Sequence, residues 1–237
     1  MDMNGVFDNS GTLRAPTYRE LHRELTSFVS YNPERAAIDG LPHGNGHTVL
    51  VLPGLLTTDA FTLSLRRFLD ACGYRAEGWE MGTNWGPTPR ILSGLNDRLA
   101  RLNDREGGPV SVVGVSMGGI LARNLAHDHP ERIRKLATIV SPVRFPTASS
   151  LEPLVRLLSP FYSKDVSAER YGRPLTMPVM AVYTRGDGLI AWETCQGGDG
   201  ACHEVEVEGG HATICRNPQV HRALVQWLGE PDSPILR

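Results

Sequence analysis

Six residues, Gly114-Val115-Ser116-Met117-Gly118-Gly119, constrain this chain more than any other stretch. Before them runs Pro109-Val110-Ser111-Val112-Val113, short, β-branched and uncharged. After them runs Ile120-Leu121-Ala122-Arg123-Asn124-Leu125-Ala126-His127, rich in helix formers. The string reads strand, sharp turn, helix, with Ser116 at the apex. An apex residue needs a strained backbone angle, and Gly114 and Gly118 offer flanks without Cβ atoms where strand and helix pass closely. The helix from Met117 presents unpaired N–H groups and its positive dipole end near Ser116. In this setting a G-x-S-x-G match exposes a serine hydroxyl as a nucleophile; elsewhere it is a glycine-rich turn with an incidental serine.

The flanking chain repeats the strand–helix rhythm. Strands are predicted at 48–52, 74–80, 136–140, 178–183 and 203–207, besides the one before Ser116. Helices are predicted at 17–31, with Tyr18, Leu21, Leu25 and Phe28 on one face, and at 60–72 and 218–228. Thr88 and Pro89 form an N-cap and first-turn pair for another helix, running to about Asn103. Such alternation builds right-handed crossovers, hence an α/β fold: a mainly parallel sheet of about six strands with helices on both faces. The expected organisation is an N-terminal arm and helix over 1–47, covering a sheet edge, a main domain over 48–229 and a tail over 230–237. Residues 145–176 interrupt the rhythm as a small insertion, whose Leu151, Leu154, Val155 and Leu158 are expected to share a helical face.

A length of 237 residues suits one such domain. The formal charge is −2 without a basic run, which leaves a nucleic-acid partner no electrostatic footprint. No apolar run approaches the roughly 18 residues of a membrane span. The first residues lack the basic and apolar regions of a signal peptide, so a cytoplasmic location is expected. Of the four cysteines, Cys72, Cys195, Cys202 and Cys215, none has C-x-x-C spacing, and zinc on Cys202, His203 and Cys215 matches no common site. Cys195 and Cys202 flank a glycine-rich loop and could pair, but reduced thiols are the expectation.

In a parallel sheet, ligands bind beyond the carboxyl ends of the strands. Ser116, Asp187 and His211 each follow a predicted strand, in the chain order Ser, Asp, His. A serine hydroxyl needs a base, which the imidazole of His211 can be, and Asp187 can hold that imidazole in one tautomer. His22 and His221 lie on predicted helices, His127 and His129 end the helix after Ser116, and His43, His47 and His203 precede or begin strands. Glu193 and Asp199 remain alternatives to Asp187, with Asp165 in the insertion. Oxyanion donors are expected at the N–H of Met117 and of Leu55, with Leu56 in reserve; Pro53 has no N–H to give.

The Gly114 to Gly119 string, Pro53-Gly54-Leu55, the strand-terminal Asp187 and Gly210-His211 together resemble the α/β-hydrolase superfamily, particularly its small bacterial esterase and lipase-like members. The resemblance spans about Thr48 to Leu228. It implies hydrolysis of a small-molecule ester through an acyl-enzyme, with no metal and no organic cofactor. Pro53-Gly54 departs from the His-Gly of many members, which bears on the second oxyanion donor, and a roughly 30-residue insertion implies a small cap. That insertion also carries Phe145, Tyr162 and Tyr171. Its apolar face is expected to line an acyl pocket, with Leu56, Trp85, Leu151, Leu154 and Phe161 as substrate contacts. Thioesterase, lactonase, amidase or acyltransferase chemistry would use the same residues, and a non-catalytic ligand-binding member or a scaffold is a separate possibility. Oligomeric state is not legible.

Overall fold

The computed structural model describes residues 13–30, 38–144, 147–167, 170, 172–197 and 202–231. Asp199, Phe145 and Tyr171 lie outside the described residues. Six strands, β1 (Thr48–Leu52), β2 (Arg75–Gly78), β3 (Val110–Val115), β4 (Ile133–Ile139), β5 (Val179–Tyr183) and β6 (Cys202–Glu206), form one sheet in the order β2-β1-β3-β4-β5-β6. Every pairing is parallel. The helices include α1 (Tyr18–Ser30), α2 (Leu63–Ala71), α3 (Pro89–Glu106), α4 (Met117–Asp128), α5 (Glu152–Leu158) and α6 (Pro218–Gly229).

The strand order reverses between β1 and β3, since β2 lies on one side of β1 and all later strands on the other. At such a switch point the loops leaving neighbouring strands diverge and leave a crevice. The loop after β1 and the turn after β3 are the two that flank it.

Alternation along β1 explains the layers. Val49 and Val51 face one side, where Leu65 and Leu69 of α2 and Val220 and Leu224 of α6 pack. Leu50 and Leu52 face the other, against Leu95 and Leu99 of α3 and Leu121 and Leu125 of α4. All five β1 residues are buried, as expected of a parallel strand covered on both faces. Each Leu or Val so buried contributes roughly 1.5–3 kcal/mol.

Three boundaries differ from expectation for identifiable reasons. The helix expected from residue 60 begins at Leu63, because Phe61 N–H bonds Thr58 O and Leu63 N–H bonds Ala60 O in successive turns. The strand expected from Leu136 begins at Ile133, with Lys135 only 1% exposed inside it. The Thr88 cap is as expected, its side chain accepting from Ile91 N, but α3 continues to Glu106 and ends where Gly107 turns left-handed at φ 73°. Tyr18 is 90% exposed and so takes no part in the buried face of α1.

Candidate active site

Ser116 joins β3 to α4 at φ 54°, ψ −121°, a left-handed backbone that a residue with a Cβ adopts only under constraint. Its neighbours show why the string is so rich in glycine. A Cβ on Gly114 would lie 2.3 Å from Gly118 O, and one on Gly118 would lie 2.4 Å from Leu52 O. Both clashes are with backbone, so neither can be relieved by a side-chain rotation. Ser116 N–H donates to Ile139 O at 2.8 Å, tying the turn to the end of β4.

Asp187 follows β5 and His211 follows β6, and their side chains meet. His211 Nδ1 lies 2.7 Å from Asp187 Oδ2, with both side chains buried. A carboxylate only accepts, so Nδ1 carries the proton and Nε2 keeps its lone pair. The other Asp187 oxygen, Oδ1, accepts from Leu189 N at 2.9 Å and Ile190 N at 2.8 Å, which fixes the carboxylate. Burial pulls the His211 imidazole toward lower pKa. The charge and hydrogen bond of Asp187 and the charge of Glu24 more than offset this, leaving it above the ordinary value of 6.5. Glu193 is held above the usual carboxylate range, chiefly by burial.

The loop after β1 closes on the serine. Its Gly54 packs against Ser116, where a Cβ would touch Ser116 Cβ at 3.4 Å. Among the described residues, the N–H groups of Leu55 and Met117 donate to no protein acceptor. Leu56 cannot stand in reserve, because its N–H already donates to Asn84 O at 2.7 Å. Asn84, fully buried, holds this loop throughout: its N–H bonds Thr57 O and its Nδ2 bonds Pro53 O at 2.7 Å, while its Oδ1 accepts from Gly86 N.

Ser116, Met117 and Leu55 line a cavity of about 230 Å3 whose other walls include Leu151 just before α5, Val155 of α5, Tyr162 and Ile190. Its wall is largely apolar, with Ser149, Thr147 and Glu152 as polar exceptions. Tyr162 Oη is buried and, among the described residues, makes no hydrogen bond. A second depression, of about 430 Å3, lies alongside and is lined by Trp85, Phe161, Leu158 and Arg90. Of the expected substrate contacts, then, only Leu151 faces Ser116. Trp85 and Phe161 line the neighbouring depression, and Leu56 and Leu154 line neither cavity. The physical reason is helical rotation: Leu151 and Val155 form one i,i+4 stripe, while Leu154 and Leu158 form the next.

Three residues here escaped sequence reasoning. Asn84 sits among Gly82, Gly86 and Pro87, which mark a turn and give no polar side chain a role. Tyr162 was one aromatic among several. Glu24 lies on α1 between Leu21 and Leu25, and an acid inside an apolar stripe was the available signal. Among the described residues there is no disulfide, and Cys72, Cys195 and Cys215 are buried thiols. No helix among them is long and apolar enough to cross a membrane.

A family model described as the α/β hydrolase fold matches residues 106–172, which span β3, Ser116, α4, β4 and most of the insertion. A poly(3-hydroxyalkanoate) depolymerase of Ectopseudomonas oleovorans is 46% identical over 59 residues, 23% of this chain and 21% of that protein. The match thus spans about a fifth of that relative's length. Among solved structures, an α/β hydrolase enzyme from the metagenome of lagoon sediments at Mar Chica, Morocco, is similar with a TM-score of 0.56. Its identity is 16%, over 78% of this chain and 92% of that one. The enol-lactonase of Burkholderia xenovorans is similar with a TM-score of 0.55 and 16% identity, over 81% of this chain and 95% of that one.

Proposed function

We propose that this chain, whose fold is that of the α/β hydrolases, is a serine hydrolase cleaving carboxylic esters through an acyl-enzyme. The observation that carries this reading is Ser116 itself, held at φ 54° between strand and helix and lining a mostly apolar cavity. In the proposed reaction Ser116 Oγ attacks the ester carbonyl carbon and its proton passes to His211 Nε2. The N–H groups of Leu55 and Met117 receive the oxyanion. As the intermediate collapses, the imidazolium protonates the departing alcohol; water, deprotonated by the same nitrogen, then attacks the acyl carbon, and the proton returns to Ser116 Oγ as the acid leaves. Asp187 stabilises the imidazolium throughout.

A volume of about 230 Å3 falls below the roughly 300–1,000 Å3 of pockets for drug-sized ligands. That favours a short or medium acyl group. The segment similar to a poly(3-hydroxyalkanoate) depolymerase favours a second, narrower reading, in which the acyl group is a 3-hydroxyacid.

A fluorophosphonate probe, used beside nitrophenyl esters of rising acyl length and 3-hydroxybutyrate oligomers, tests both readings. The wild-type protein is expected to label and to turn over the shorter esters. Ser116→Ala should neither label nor turn over, with loss of about 10⁴-fold or more, while remaining folded. Undiminished turnover in that variant would remove Ser116 from the mechanism. Oligomers cleaved no faster than plain esters would remove the narrower reading.

A further inference from the structure

Glu24 is 2% exposed, on the helix α1, and its carboxylate bonds residues far away in the sequence. Its Oε1 accepts from Gly188 N and from His211 N, each at 2.9 Å, and its Oε2 accepts from Ala212 N at 3.0 Å. Gly188 follows Asp187 and Ala212 follows His211. One carboxylate therefore takes three backbone N–H groups from the two loops that carry the acid and the base. Charge-assisted bonds of this kind are short and about twice as strong as neutral ones.

The two glycines beside those residues complete the arrangement. A Cβ on Gly188 would lie 2.5 Å from Glu24 Cγ, and one on Gly210 would lie 2.5 Å from Glu24 Oε1. The residue after Asp187 and the residue before His211 are thus both small where Glu24 enters. A carboxylate serving only to dock a surface helix would not need to sit between the loops of two separate strands.

We propose that Glu24 is a positioning residue for the reaction, clamping the Asp187 and His211 loops at one separation so that the imidazole meets Ser116 correctly aligned. The proposal rests on the serine-hydrolase reading given above. The clamp has an electrostatic consequence as well. The charged groups facing the imidazole are Asp187, from the loop after β5, and Glu24, from α1. Cys195, buried beside Asp187, is held as a neutral thiol by burial. Removing the Glu24 charge should therefore lower the His211 pKa and move the acidic limb of kcat/KM to lower pH.

Glu24→Gln keeps the shape but gives an amide whose nitrogen cannot accept, so the Ala212 bond or the shared bonds of Gly188 and His211 are lost. The experiment measures kcat, KM and their pH dependence for wild type, Glu24→Gln and Glu24→Asp. His22→Ala, on the exposed side of α1, serves as a helix control. Alongside, the imidazole of His211 is titrated by NMR. We expect kcat to fall about 10- to 100-fold in Glu24→Gln, in line with misplaced catalytic groups, with KM nearly unchanged. The His211 titration and the acidic limb should move together to lower pH, Glu24→Asp should be intermediate, and His22→Ala should match wild type.

An unchanged kcat with an unchanged His211 titration in a folded Glu24→Gln protein would overturn the proposal. Should Glu24→Gln fail to fold, Glu24→Asp decides by the same two readouts. A wild-type protein inactive on every ester and unlabelled by fluorophosphonate would reject the hydrolase reading. The NMR titration of His211 would in that case still decide whether Glu24 governs the imidazole.

Discussion

Holding Ser116 at φ 54° costs about 1–3 kcal/mol against ordinary backbone, and what holds it is the contact of Gly118 with the backbone of Leu52 and Pro53. The same economy of space was legible in the string itself, because only glycine fits where helix and strand backbones touch. That Asp187 could hold His211 was legible from their places after successive strands, but the raised pKa of His211 was not, since Glu24, 187 residues away in the chain, also bears on it. Its consequence for pH has a definite sign. Because the folded pKa is raised above 6.5, this group's stabilising contribution is fully present below the unfolded value. It is lost as pH rises through the folded value. Proposed activity runs the other way, because the base must be neutral. The kcat/KM profile should therefore show an acidic limb above pH 6.5, and Asp187→Asn should move that limb to lower pH with a large loss of rate. An acidic limb below 6.5 in the wild-type protein would contradict a raised His211 pKa in control of the rate.

Among the elements, the short helix α5 and the turn after it do most to shape the cavity, and here the sequence was half legible. The composition of residues 145–176 marks an insertion, but two adjacent i,i+4 stripes of leucine and valine read alike until a tertiary partner chooses between them. The bridge between Ser149 and Ile190 makes that choice, since it anchors the start of the insertion beside the Asp187 loop. Tyr162 then stands between the two cavities, with its ring against Gly86, where a Cβ would lie 2.5 Å from the ring. Its neighbours Leu158 and Phe161 line the outer depression, while Tyr162 itself lines the cavity of Ser116. Tyr162→Ala should join the two spaces. We expect the acyl-length optimum to move toward longer chains, with kcat/KM on the shortest ester falling by about 10-fold as packing is lost. A chain-length profile identical to wild type would show that the acyl group lies elsewhere.

At the scale of the whole molecule, the order β2-β1-β3-β4-β5-β6 follows from local rhythm: each short β-branched run is followed by a helix, and right-handed crossovers leave few alternatives. What the rhythm does not disclose is how distant ends are fastened, and the charged residues that do this disguise the elements they belong to. Lys135 is the clearest instance. Arg134 and Lys135 made the start of β4 look too polar for a buried strand. Yet Lys135 Nζ donates to Trp227 O at 2.9 Å and to Glu230 O at 2.7 Å, and lies 5.2 Å from the Trp227 ring centroid. The last carbonyls of a helix lack internal partners, and a cation there also meets the negative end of the dipole. Lys135 therefore pins the end of α6 to the middle of the sheet, away from the strand ends that carry Ser116, Asp187 and His211. Replacing it by Met keeps the length of the side chain but takes the ammonium from Glu230 O and leaves Trp227 O only the Glu230 N–H, at a cost of about 2–3 kcal/mol for bonds to a charged group. Lys135→Met should lower the urea midpoint with an unchanged m value, and its kcat in the absence of urea should equal that of wild type. A fall in kcat without a fall in the midpoint would contradict this separation, since it would place the fastening of α6 within the machinery of the site.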